Sequence, residues 1–300
     1  MANPEHVAIL RSGTAAWNRW RSEYADLRPD LESLGLEGVD LCGIDFSRTR
    51  LAEADLEGAD MRRANLNWAA LPGALMMGAK LAGANLAGAY MPRARCLKAD
   101  LREAWLSEAK LQGADFRAAD LRGAKVIGAD LREADFRAAT LEGANLSNSN
   151  LGRACLAGAN LKGTLLLGTQ LVETDLQDAD LSRAMVYGSA VWSVNLLRAQ
   201  QTDLVITPLG GSTVTVDRLD VAQFIYLLMS NQRFREVIDT VSSKLVLILG
   251  RFTEERMGVL DSVRDALRRH NYIPVLFDFD GPTTRDLTER SQHSHTFRAL

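Results

Sequence analysis

The sequence predicts a mainly β fold in which the middle of the chain winds into a stack of short coils. Three observations carry this. Every fifth residue from Leu36 to Leu196 is apolar, and 23 of these 33 positions are Leu. The residue two places before each is usually small, and from Ala54 to Ala144 it is alanine 19 times in succession. A period of five is neither the 3.6 of a helix nor the 2 of a strand.

The repeat unit gives each position a role. The large residue fills the centre of a coil, with Phe46, Met61, Met76, Met91, Cys96, Phe116, Val126, Phe136, Val186 and Val191 standing in for Leu. The alanine sits where the backbone turns and only a methyl fits. The position between them is often Asp or Asn, as in Asp55, Asp60, Asn65, Asn85 and Asn145. The last two positions are mostly polar or Gly, which relaxes the corner. One coil cannot bury its apolar side alone, so coils must stack, at the strand spacing of about 4.8 Å.

Segments such as Ala54-Asp55-Leu56-Glu57-Gly58 and Ala84-Asn85-Leu86-Ala87-Gly88 resemble the pentapeptide-repeat family, A-(D/N)-L-x-x. The resemblance implies a right-handed, four-sided β-helix with four pentapeptides per coil. The 33 repeats then give about eight coils and a rod of about 39 Å. Twenty-residue coils place Phe116 over Phe136 and put Cys96 between Met76 and Phe116, as a buried small hydrophobe.

The expected organisation is an N-terminal helical cap over 1–34, the β-helix over 35–200, a helical linker or cap over 201–243, and a small C-terminal α/β segment with an irregular tail over 244–300. A solenoid needs caps, because its end coils expose core and unpaired edges. Residues 4–24 read as one helix, interrupted only by Gly13, with Pro4 and Glu5 suited to a first turn. The register is expected to fail at Gln201. Val216–Met229 and Gln232–Val241 read as amphipathic helices. Lys244–Gly250, Glu254–His270 and Tyr272–Asp278 read as strand, helix and strand, with Thr253 as N-cap.

The stretches LDVAQFIYLL, KLVLILGRFT and PVLFDFDGPTTRDLT resemble the C-terminal region of some bacterial pentapeptide-repeat proteins, which leads into a TIR-like or other flavodoxin-like nucleotide-binding domain. The tail Arg290–Leu300 closes no such fold. Similar chains continue T-E-T-V-S-T-L-A-H-L-S-R-F, and dropping one base from one choice of codons for that stretch yields Glu289–Leu300. The expectation is therefore a frame change and a half-length domain.

Composition narrows the function. Lys+Arg is 35 against Asp+Glu 38, a net charge of −3, which argues against general nucleic-acid binding. Cys42, Cys96 and Cys155 form no CxxC pattern, so a reducing, cytoplasmic compartment is expected. No run approaches the roughly 20 apolar residues of a membrane span. Val275–Gly281 resembles the haloacid-dehalogenase motif, but Pro282 stands in the Thr position and the later motifs have no room. Gly250 alone makes no phosphate loop, and His293 with His295 makes no metal site. No cofactor, metal or catalytic residue is assigned.

Contact is the expected work. Large apolar residues break the polar position before the centre at Leu75, Tyr90, Trp105, Leu165 and Met185. The candidate interaction patch is Leu165, Leu167, Met185, Tyr187, Trp192 and Leu197. Its cover is expected to be residues 218–241, a second copy in a homodimer, or a separate protein partner. The leading expectation is a non-enzymatic interaction scaffold. The alternatives are a DNA mimic that protects a type II topoisomerase, as the resemblance allows, and a remnant of a TIR-like nucleotide-processing effector. Residues 36–200 hold 20 acidic and 19 basic side chains, too even a balance for a strong field.

Overall fold

The computed structural model describes residues 2–210, 213–230, 245–250, 254–270 and 273–278. The chain divides into two units, Met1–Tyr226 and Leu227–Leu300.

In the first unit each residue before a central position pairs in parallel with the residue 20 places on, from Asp30↔Arg50 to Met185↔Val205. A coil therefore takes four pentapeptides, one per side. Side 1 carries Leu51, Leu71 and so on to Val191; side 2 runs from Leu56 to Leu196; side 3 from Leu41 to Leu181; side 4 from Phe46 to Val186. Each side contributes a single bridged residue whose N–H and carbonyl both bond the preceding coil, while the residues flanking it bond the following one. Asp115 donates its N–H to Ala94 O at 2.9 Å, and its carbonyl accepts from Cys96 N at 2.7 Å.

The corners explain the rest of the repeat. The carbonyl of most central residues accepts the N–H of the next corner residue, as Leu56 O does from Ala59 N at 3.1 Å, closing a β-turn. The third turn residue has positive φ, as at Gly58 (63°), which the type II turn requires. Central residues and alanines are almost wholly buried and form one continuous core. Phe116 and Phe136 stack as the twenty-residue coil predicts, with centroids 4.9 Å apart and planes 9° from parallel. Toward the C-terminal end Ser149, Thr164, Thr169, Thr174 and Ser189 replace corner alanines. Each hydroxyl donates to the carbonyl 23 residues back, such as Thr164 Oγ1 to Leu141 O at 2.9 Å, so the buried oxygen is satisfied.

The ends differ from the sequence expectation in four places. The single helix over 4–24 is two: α1 (Pro4–Arg11), capped by the Asn3 side chain, and α2 (Thr14–Glu23). They are separated by Gly13 at φ 98°, a backbone that L side chains rarely adopt. The ladder begins one pentapeptide before Leu36, with Leu31 fully buried. Trp17 of α2 covers the first side-4 residue. Its ring meets Phe46 edge-on at 5.5 Å, and its Nε1 donates to Asp45 O at 2.7 Å. Arg21 is buried beside it and donates to the carbonyls of Tyr24, Leu27, Ala25 and Ser47.

At the other end the winding does not stop at Gln201. It continues through Leu204 and Ile206, and the Gln201 side-chain oxygen accepts the N–H of Leu219 at 2.8 Å. Strand β1 (Leu204–Val205) pairs antiparallel with β2 (Thr215–Val216). Helix α3 is Leu219–Ser230, shorter at its start than the expected Val216–Met229, because Thr215 and Val216 are spent on this pairing. Leu219 and Ala222 are buried in the core, and Val216 and Ile225 pack against it.

The second unit contains β3 (Leu245–Gly250), α4 (Glu254–Arg269) and β4 (Ile273–Asp278). The two strands pair in parallel from Leu245↔Ile273 to Gly250↔Asp278. The expected helix Gln232–Val241, the Asp280-Gly281 turn and the tail Arg290–Leu300 lie outside the described residues. Among the described residues no helix is long and apolar enough to cross a membrane.

Candidate interaction surface

The coil divides the candidate patch among sides. Leu165, Leu167, Met185 and Tyr187 lie together on side 4, with Leu165 bridged to Met185. Trp192 is exposed on side 1, around the corner. Leu197 is exposed on side 2, opposite the column, so neither joins it. The four side-4 residues are half-buried. Part of their cover is α3. Tyr226 meets Tyr187 edge-on at 5.1 Å, and its ring lies 3.5 Å from where a side chain on Gly188 would begin.

Side 4 is distinctive as a whole. Its pentapeptides from Ala64–Trp68 to Ala184–Gly188 comprise 35 residues, of which only Glu108 and Lys125 are charged. The matching stretch of side 3, Ala59–Arg63 to Ala179–Arg183, has 13 charged residues in the same number. Above the α3 contact side 4 presents Ile127, then Trp105 at 50% exposure, then Trp68 at 59%. The Lys125 ammonium sits 4.4 Å from the Trp105 ring centre, a cation–π contact. Trp105 stands out in the sequence by its place before the centre, whereas Trp68 and Ile127 follow their centres and share a side with it only through the twenty-residue coil. Reading the chain in steps of twenty would have found both.

The other sides are polar by construction. Six Asp-x-Arg pairs repeat one geometry: Asp60–Arg62, Asp100–Arg102, Asp115–Arg117, Asp120–Arg122, Asp130–Arg132 and Asp135–Arg137. In Asp100–Arg102 the arginine Nε and Nη2 donate to the two carboxylate oxygens at 2.8 and 2.7 Å. The Arg102 backbone N–H donates to the same carboxylate at 3.2 Å. These arginine bonds hold the Asp100, Asp115, Asp120 and Asp130 carboxyls below the usual carboxylate range. The carboxylates are thereby neutralised in place.

Chemistry-bearing groups do not converge. A shallow concavity of about 570 Å³ on side 3 is floored by Ala82 and Gly83 and rimmed by Arg63, Arg102, Glu103 and Arg122. Two of its arginines are already engaged by Asp100 and Asp120. Cys96 is buried, and burial pushes its thiol up. Among the described residues no group of three or more His, Cys, Asp or Glu is placed to hold a metal ion.

Comparison with known proteins agrees with this geometry. The Pentapeptide repeats family matches in eight copies, over residues 36–67, 79–117, 114–153 and 154–189. No curated protein sequence matches the chain. One similar solved structure is HetL of the cyanobacterium Nostoc sp. strain PCC 7120, a pentapeptide repeat protein involved in heterocyst differentiation regulation. It is 26% identical over 66% of this chain and 98% of its own, with a TM-score of 0.41. Rfr23 of the cyanobacterium Cyanothece 51142, also a pentapeptide repeat protein, is 30% identical over 38% of this chain and 90% of its own, at a TM-score of 0.22. Full-length QnrB1, a plasmid-mediated fluoroquinolone resistance protein, is 18% identical over 57% and 92%, at 0.30. With eight matched repeats, a five-residue phase and twenty-residue coils, residues 36–189 match the pentapeptide-repeat family and wind as a four-sided β-helix.

Proposed function

We propose that this protein is a non-enzymatic scaffold that binds a protein partner along side 4 of its β-helix. The observation that carries the reading is the near-absence of charge on that side, two residues in 35, together with exposed Trp68, Trp105 and Ile127. Contiguous exposed apolar surface marks contact sites, and Trp is enriched where binding energy concentrates. Helices α1 and α2 act as the N-terminal cap, supported by the burial of Trp17 and Arg21. The compartment is cytoplasmic, in keeping with three unpaired cysteines.

The topoisomerase-protecting DNA mimic has weaker support. A mimic needs a field of free carboxylates, and here six are tied to arginines. The remnant of a TIR-like effector is supported by the parallel β3–α4–β4 unit alone, and an NAD-turnover assay tests it directly. Capture from source cytosol tests the scaffold. Ile127→Glu places a charge on side 4 and should abolish capture of a specific protein, while Arg122→Glu on side 3 should leave it unchanged. Equal capture by the two variants sinks the assignment.

A further inference from the structure

We propose that the upper part of side 4, with its corner onto side 1, binds an uncharged proline-rich segment of the partner, held on Trp68 and Trp105. This rests on the scaffold reading and names the chemistry of what is bound. The region is chemically set apart. Residues 64–92 contain one charged side chain, Lys80, in a chain that is 24% charged. Tyr90, 51% exposed, lies just beyond the corner from Trp68.

Trp68 is held in an unusual way. It occupies the positive-φ turn position (56°) and is the only aromatic among the 20 non-glycine residues that do so in the described part of the chain. A bulky residue there is disfavoured, and such outliers cluster at binding sites. Its indole lies flat against the next coil. A Cβ on Gly88 would stand 2.6 Å from the ring, so only glycine lets the ring rest there. One ring face is thus pressed onto backbone and the other is left to solvent.

The polar groups suit a polyproline helix. The amide oxygens of Asn65 and Asn85 are occupied by the Asn67 and Ala87 N–H groups, and the Asn65 nitrogen by Asp45. The exposed aromatics Trp68, Trp105 and Tyr90 each carry a group that can donate, two indole N–H groups and a phenol hydroxyl. A polyproline segment has no internal hydrogen bonds and presents free carbonyls to such donors.

Spacing and area agree. Trp68 and Trp105 sit two coils apart, about 9.6 Å along the rod, and are offset across the face because one follows and the other precedes its central residue, so a polyproline segment rising about 9.3 Å per turn spans both within two turns. Seven coils of one side, about 34 Å by about 10 Å, offer a few hundred Å². A standard interface takes about 800 Å² per partner, so a narrow peptide fits where a second rod would not. Aromatic-lined surfaces are how proline-rich segments are bound elsewhere.

The test uses the full chain and fluorescein-labelled dodecaproline in fluorescence polarisation, with a cello-oligosaccharide as the competing probe. Saturable peptide binding is expected. Trp68→Ala, Trp105→Ala or Gly88→Ala should weaken it by about tenfold or more, while Arg122→Ala changes it less than about twofold. Raising salt to about 1 M should change it less than about twofold, since the proline segment carries no side-chain charge and Lys125 already sits on the Trp105 ring. Far-UV dichroism confirms that each variant folds, and Trp105→Ala carries the test if Trp68→Ala does not. Absence of saturable binding, binding indifferent to both tryptophans, or binding of the oligosaccharide alone overturns the proposal. Capture that depends on Ile127 without any dodecaproline binding leaves the scaffold standing and removes only this inference.

Discussion

Ala114→Leu tests the physical basis of the rod. Ala114 is fully buried at a side-2 corner, and the residues 20 before and after it, Ala94 and Ala134, are equally buried. The backbone closes around the position: its N–H donates to Leu111 O at 3.1 Å and its carbonyl accepts from Asp135 N at 2.9 Å. Three added carbons have no cavity to enter and must push neighbouring coils apart. Overpacking of this kind costs about 1–3 kcal/mol. If one of the two flanking hydrogen bonds breaks, about 0.5–1.5 kcal/mol is added. For a unit of this size about 1 kcal/mol moves the melting point by about 2–4 °C, so a loss of about 2–18 °C is expected. The control is Arg117→Ala, whose exposed fork with Asp115 is a surface feature; it should stay within about 0.5 kcal/mol. Thermal melts by far-UV dichroism compare the two. Equal melting points would refute the claim that the corners admit only a methyl.

Three further outcomes follow from the same structure. The carboxyls of Asp100, Asp115, Asp120 and Asp130 are depressed by their arginines, and Asp178 is lowered to about 2 by Arg198. Their folded pKa values lie below the unfolded one of about 3.9. The stabilisation is therefore complete above that value and disappears as pH falls toward 2. Melting points should drop over that window and be flat from pH 5 to 7; a flat profile down to pH 2 contradicts the forks. In thiol labelling of native protein, exposed Cys42 should react first and half-buried Cys155 more slowly. Cys96, buried and with its thiol pushed up, should react only on unfolding. Rapid labelling of all three cysteines means the core is not closed. Deleting residues 202–300 removes Leu204, Ile206, Leu219 and Tyr226 from the C-terminal end. The truncated rod should bind an apolar dye or self-associate, and a dye-silent monomer rules that out.

The repeat was legible because one physical rule recurs at every step. A large residue inside, a methyl at the corner and a turn that favours glycine fix the five-residue phase, and that phase, with the four repeats per coil that the family resemblance implied, led correctly to Phe116 over Phe136. What escaped the sequence depended on relations the phase does not encode. Arg21 carries no mark in the sequence, yet the carbonyls of Tyr24, Leu27 and Ser47 close around it. Gln201 looked like the end of the register because it is polar. Its place at the rod's end lets the amide accept the first N–H of α3 instead. Trp192 and Leu197 are close to Tyr187 in sequence yet lie on other sides, since each step of five turns a corner. Trp68 stood at a turn position where bulky residues are not expected.

The most direct test of the scaffold places a photo-crosslinking benzoylphenylalanine at Ile127 on side 4 and, separately, at Arg122 on side 3, in the source cytosol. The account predicts a discrete crosslinked protein from position 127 and none from position 122. A crosslink from 122 alone, the same adducts from both, or none from 127 would contradict it.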